Sequence, residues 1–188
     1  MTWKPTNLPY DKDLETKPVL KKLAGAHRAL AELKGLALTI PRQEILINTL
    51  ILQEAKDSSE VENIVTTHDE LYKSTLELDA HVSSATKEVQ NYVAAIKCGY
   101  ELVKKNQILT TNNIIKIQEI LEENDAGLRK VPGTNLKNQQ TKELVYEPPQ
   151  HPEEIKLLSE NLEAFINNDE MIDYDPLVKM GIIHLQFE

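Results

Sequence analysis

The sequence predicts an all-α fold interrupted by one β-hairpin. Three observations predict it. Apolar residues recur at three- and four-residue steps through most of the chain, the period of a helix with one buried face. Helix-start residues (Thr16, Pro41, Thr67, Asp175) stand before those runs. A single segment, residues 124–150, changes texture to glycine, proline and a short β-prone run.

Residues 1–15 hold two prolines, a tryptophan and mixed charge. They read as an arm on the surface, pinned by Trp3 and Tyr10. A helix follows from Thr16 to Lys34, with Val19, Leu20, Leu23, Ala26, Leu30 and Leu33 on one stripe and Gly35 as its stop. Pro41 opens a second helix. Its run from Ile45 to Ala55 is apolar nearly all round, which predicts a central, buried helix. Residues 57–63, "DSSEVEN", read locally as a helix start, because Asp57-x-x-Glu60 and Ser59-x-x-Glu62 both have capping-box spacing. "TTHDELYKSTLEL" follows as a further helix, with Thr67 and Glu70 as its capping box.

The next helix spans Thr86 to Lys105 and is expected to bury Val89, Tyr92, Val93, Ile96, Tyr100 and Val103. "LTTNNIIKIQEILEE" is shorter, capped by Thr110 or Thr111. The hairpin is predicted around the polar turn Asn138-Gln139-Gln140-Thr141. Its second strand is Leu144-Val145-Tyr146, stopped by Pro148-Pro149. Helical texture returns at Pro152 with Glu153 and Glu154 at the positive helix end, and Ile155, Leu158, Leu162, Phe165 and Ile166 face inward. Asp175 as N-cap and Pro176 behind it start the last helix. Gly181 inside it predicts a closely packed neighbour. The pattern is still running at Glu188 with no C-cap glycine, so the chain reads as cut off inside a larger domain.

Composition narrows the function classes. The chain has 188 residues, room for one domain or a domain and a half. A 40% hydrophobic content supports a core, and with 5% aromatics aliphatic side chains must fill it. The net charge of -9 argues against nucleic acid or an anionic membrane as the main partner, since phosphates need a basic footprint. Cys98 is the one cysteine, which fits a reducing, cytoplasmic setting. There is no secretory h-region and no apolar run of spanning length. His184 and Glu188 share a helix face, but no third ligand stands near them, and His27, His68, His81 and His151 are scattered. No zinc site, phosphate-cradling glycine loop or CxxC pair is predicted.

Three blocks carry a resemblance. "SSEVENIVTTHDELYK" (58–73) resembles the N-terminal region of Fic-domain proteins. "GLRKVPGTNLKNQQTKELVYEPPQHPEEIKLLSENLEAFIN" (127–167) resembles their flap hairpin and the helix after it. "DPLVKMGIIHLQFE" (175–188) resembles the helix that leads into their catalytic loop. The blocks occur in the family's order, and the likeness spans most of residues 10–188.

The resemblance implies a Fic-like helical bundle with a flap, in two parts. Residues 1–95 are a helical region with an inhibitory helix, and 96–188 are the N-terminal part of the core. It implies an enzyme that moves AMP from ATP, with Mg²⁺, onto a hydroxyl side chain of a target protein. The family's catalytic loop, H-P-F-x-[D/E]-G-N-G-R-x-x-R, is absent from these 188 residues and is expected just beyond Glu188. The 188 residues alone are therefore expected to be inactive and to hold neither ATP nor Mg²⁺ stably. Ser58, Glu62 and Asn63 match the family's inhibitory motif [S/T]-x-x-x-E-[G/N]. Glu62 would then pair with the second arginine of the catalytic loop. Glu143, Leu144, Val145 and Tyr146 would register a target chain by β-augmentation. Lys130, Gly133 and Thr134 would lie near nucleotide. Whether the protein forms a homo-oligomer stays open. The alternative function is a non-catalytic, antitoxin-like helical module that occupies a partner's site.

Overall fold

The computed structural model describes residues 3–61, 63–75, 83–138 and 140–187. Among them are seven α-helices: α1 (Lys17–Ala37), α2 (Gln43–Val61), α3 (His68–Thr75), α4 (Ser84–Asn106), α5 (Thr111–Glu122), α6 (Pro152–Asn167) and α7 (Pro176–Phe187). One antiparallel hairpin, β1 (Leu136–Lys137) and β2 (Leu144–Tyr146), stands between α5 and α6. The all-α expectation with one hairpin therefore holds. No helix among the described residues is long and apolar enough to cross a membrane.

The chain divides into two compact units that interleave along the sequence. One comprises residues 1–31, 108–111 and 126–188, the other 32–107 and 112–125. The boundary drawn at residue 96 from the sequence falls inside α4.

The first unit is built on Leu8, Leu162, Phe165 and Ile182. Phe165 is fully buried, and α6 packs against α7 around it. The N-terminal segment is more than the surface arm its composition predicts, because Leu8 belongs to this core. Its backbone N–H and carbonyl are both held by one amide side chain. Leu8 N–H donates to Asn161 Oδ1 at 2.7 Å, and Asn161 Nδ2 donates to the Leu8 carbonyl at 3.0 Å. Gln186 does similar work: it accepts from the Tyr10 hydroxyl at 2.8 Å and donates to the Thr6 carbonyl at 2.8 Å. Asp175 caps α7 as predicted, accepting from Leu177 N–H at 2.9 Å.

The second unit buries Ala55, Leu71 and Val89, with Leu52, Ile64, Tyr92 and Val93 packed around them. Burying Leu71 and Val89 completely contributes about 1.5–3 kcal/mol each. Here α2 and α3 both pack against α4. Gly99 of α4 lets α5 approach closely: a Cβ there would lie 3.0 Å from Ile117 Cδ1.

Several expectations are corrected. Gly35 does not stop α1, which runs on to Ala37. The Thr39 hydroxyl and Gln43 Nε2 satisfy the carbonyls of Leu36 and Ala37 instead, each at 2.7 Å. The apolar run of α2 is not buried: Ile45 and Leu50 expose 58% and 53% of their surface. Of α2 only Ala55 and Ser59 are buried, because α4 covers one face of it. α4 starts at Ser84 rather than Thr86, and Ser83 caps it, accepting from Thr86 N–H at 3.1 Å. Tyr100 and Val103 near its end are exposed. Gly181 has no close neighbour at all, since nothing lies within 4 Å of the Cβ it lacks. The predicted extension of α3 to residue 78 lies outside the described residues.

Candidate functional site

"DSSEVEN" does not start a helix. Asp57, Ser58 and Ser59 lie in the last turns of α2, which ends at Val61. Neither capping-box reading survives, because no helix N-terminus is present for Asp57 or Ser59 to cap. Asn63 follows with φ of +66°. Asn63 N–H donates to the Glu60 carbonyl and Ile64 N–H to the Ser59 carbonyl, both at 3.0 Å. This is the bond pair of a Schellman motif, in which a left-handed residue closes a helix. Ile64 then turns into the core beside Ala55 and Leu71. The hydroxyl of Ser58 donates to Glu54 Oε1 at 2.8 Å. Ser59 is 5% exposed. Glu62, the acid of the predicted motif, lies outside the described residues.

The neighbouring acid already has a partner. Lys56 Nζ sits 3.0 Å from Glu60 Oε2 and 3.5 Å from Asp57 Oδ1. The Glu60 carboxylate, first of all, pushes the Lys56 ammonium above the usual lysine range. The true helix start comes a turn later, as predicted. Thr67 N–H donates to Glu70 Oε2 at 3.0 Å, and Glu70 N–H donates back to the Thr67 hydroxyl at 3.2 Å. The Thr67 amide, then the Thr66 and Thr67 hydroxyls, hold the Glu70 carboxyl below its ordinary value.

A cavity of about 620 Å³ opens beside the end of α2, where Ser58, Ser59 and Ile64 meet the start of α4 and the end of α5. Lys87 Nζ spans it to Glu123 Oε2 at 2.7 Å, and this contact lowers the Glu123 carboxyl below the usual range.

The hairpin lies in the first unit. Leu136 pairs with Tyr146 and Lys137 with Leu144. That register leaves Val145 between them without a partner of its own, a bulge. Asn138 builds the turn. Its Oδ1 accepts from the amides of Gln140 at 2.9 Å and Thr141 at 3.0 Å, and its carbonyl accepts from Lys142 N–H at 2.9 Å. Lys142 is left-handed with φ of +61°. Gln139 of the predicted turn lies outside the described residues. Glu143 sits in this turn rather than in the strand, its carbonyl accepting from Asn138 N–H at 2.9 Å. Tyr146 stacks on Trp3 with ring centroids 6.4 Å apart, which is how Trp3 pins the N-terminal segment.

Gly133, with φ of +118°, donates its N–H to Gln150 Oε1 at 2.7 Å. Gln150 Nε2 donates to the Thr134 carbonyl at 2.9 Å. One glutamine thus clasps both residues, and Lys130 beside them is exposed. His184 lies in α7; Glu188 and His81 lie outside the described residues.

Sequence reasoning missed three features: the Lys87–Glu123 bridge, the placing of Arg129 between the hairpin and α6, and the contact of His27 Nε2 with Asp175 Oδ2 at 2.6 Å. Each joins residues far apart in sequence, and no local pattern marks them. Residues 20–101 match the family model described as Fic/DOC family N-terminal. The match runs from α1 into α4 and takes in Ser58, Glu62, Asn63 and the Thr67–Glu70 box.

Proposed function

We propose that this chain, a member of the Fic/DOC family through residues 20–101, is the inhibitory and target-docking part of an enzyme that transfers AMP from ATP to a protein hydroxyl. The observation that carries the reading is the closure of α2 at Asn63. The motif [S/T]-x-x-x-E-[G/N] ends in Gly or Asn, the residues that take a left-handed backbone most readily. A motif whose last position ends a helix needs that property; a capping box at a helix start does not.

Glu62 is then the inhibitory acid. Its carboxylate competes with the γ-phosphate of ATP for the second arginine of the catalytic loop. A guanidinium fork binds either group bidentately, so the two exclude each other. The target polypeptide docks along β2, and ATP with Mg²⁺ is held by the catalytic loop rather than by residues of this chain. The protein works in the cytoplasm, where ATP and protein targets coexist.

A second reading is a helical module that occupies a partner's site without catalysis. The exposed Leu36, Leu38, Ile45 and Leu50 favour it. The product of the whole gene, incubated with Mg²⁺ and ATP labelled at the α-phosphate, separates the two. Label on protein, lost when the loop histidine is replaced, supports AMP transfer. A gene that encodes no H-P-F-x-[D/E]-G-N-G-R loop supports the module.

A further inference from the structure

We propose that the pocket between the end of β2 and α6 is a carboxylate subsite, in which Arg129 receives an aspartate or glutamate side chain of the polypeptide that docks along β2. The inference rests on the flap reading above and names the chemistry of the docked chain.

The pocket is about 240 Å³. Tyr146, the last residue of β2, forms one wall; Ile155, Leu158 and Leu162 of α6 form another. Arg129 is the one charged residue among the described residues that line it. The polar groups around it are already committed. Ser159 donates to the Ile155 carbonyl at 2.8 Å, and both ends of the Gln186 amide are taken by Tyr10 and Thr6. Arg129 is not. Nη2 donates to the Pro149 carbonyl at 2.7 Å, while Nη1 is shielded from water and has no hydrogen-bond partner. No carboxylate among the described residues pairs with it.

A guanidinium with one amino group bonded to a carbonyl and the other without a partner, lining a pocket with apolar walls, lacks an anion. An unfilled buried donor is costly, and low-dielectric walls strengthen its pull on a carboxylate. A phosphate would also fit a guanidinium. The flap favours a side chain, because a peptide paired to β2 projects alternate residues to one face of the sheet. Tyr146 places that face at the pocket. In a chain of net charge -9, this local cation is what admits an acidic segment.

The test uses the isotopically labelled chain and N-acetyl-glutamate methylamide as probe, followed by NMR. We expect saturable shifts at the Arg129 Nε–Hε signal and at the Tyr146 and Leu158 amides. The glutamine analogue should bind roughly tenfold more weakly, having lost the charge-assisted pair. Arg129→Met should abolish the shifts. Arg129→Lys, which keeps the charge and loses the fork, should weaken them and guards against a misfolded Met variant. No saturable shift, or equal shifts from the two probes, overturns the subsite. Val145→Pro separates the premise. Shifts that persist in that variant, while the product of the whole gene carrying the same substitution still modifies targets at the wild-type rate, leave the carboxylate site in place and overturn docking on β2.

Discussion

Asn63 shows what one residue contributes. Its left-handed backbone ends α2 and aims Ile64 into the core. A β-branched residue at φ of +66° is strained. We therefore expect Asn63→Val to destabilise the chain by about 1–2 kcal/mol, and Asn63→Gly to be near neutral. Urea unfolding followed by circular dichroism measures both; equal stability of the Val variant would contradict the helix-end role. The same region shows how far single residues were legible. Thr67 and Glu70 were readable because their box closes over three residues. Asp57-x-x-Glu60 has the same spacing inside α2, and that spacing alone does not say which end of a helix it marks. The long-range pairings of Asn161 with Leu8 and of Gln186 with Thr6 and Tyr10 leave no local trace.

Among the elements, α7 and β2 carry the clearest expectations. Asp175 caps α7 and meets His27 of α1. The His27 contact first, then the Leu177 amide, hold its carboxyl below the usual range. A depressed carboxyl stabilises the folded state above its unfolded value, and that contribution is lost as pH falls through the folded value. Asp175→Asn should therefore lower Tm at neutral pH and flatten its decline in acid; parallel Tm–pH curves for variant and wild type would count against a stabilising role for these contacts. In β2 the bulge leaves Val145 unpaired with β1. Proline there removes the Val145 N–H without touching the Leu136–Tyr146 and Lys137–Leu144 pairs. Val145→Pro should then reduce target modification several-fold with the helical signal unchanged. Helix existence was legible from periodicity, and so was the hairpin from Gly133, the polar turn and Pro148-Pro149. The exposure of α2 was not, because an all-round apolar run says how much surface could be buried and not how many neighbours arrive.

At the scale of the whole molecule, two cores are assembled from interleaved stretches. No composition shift marks such a division, since residues 108–111 leave one unit for four positions and α5 returns to it. Each core should fail separately. Leu71→Ala, at a fully buried site, should cost about 2–5 kcal/mol and strip hydrogen-exchange protection from α2, α3 and α4. Phe165→Ala should cost about 3–5 kcal/mol and act on α6 and α7. Uniform loss of protection in both variants would contradict two cores.

The inhibitory role assigned to the end of α2 is the centre of this account, and Glu62→Gly tests it most directly. In the product of the whole gene, initial rates of AMP transfer from α-labelled ATP are compared with wild type at equal folded concentration. A rise of tenfold or more is predicted, roughly the loss of one charge-assisted pair. A rate equal to or below wild type would contradict it.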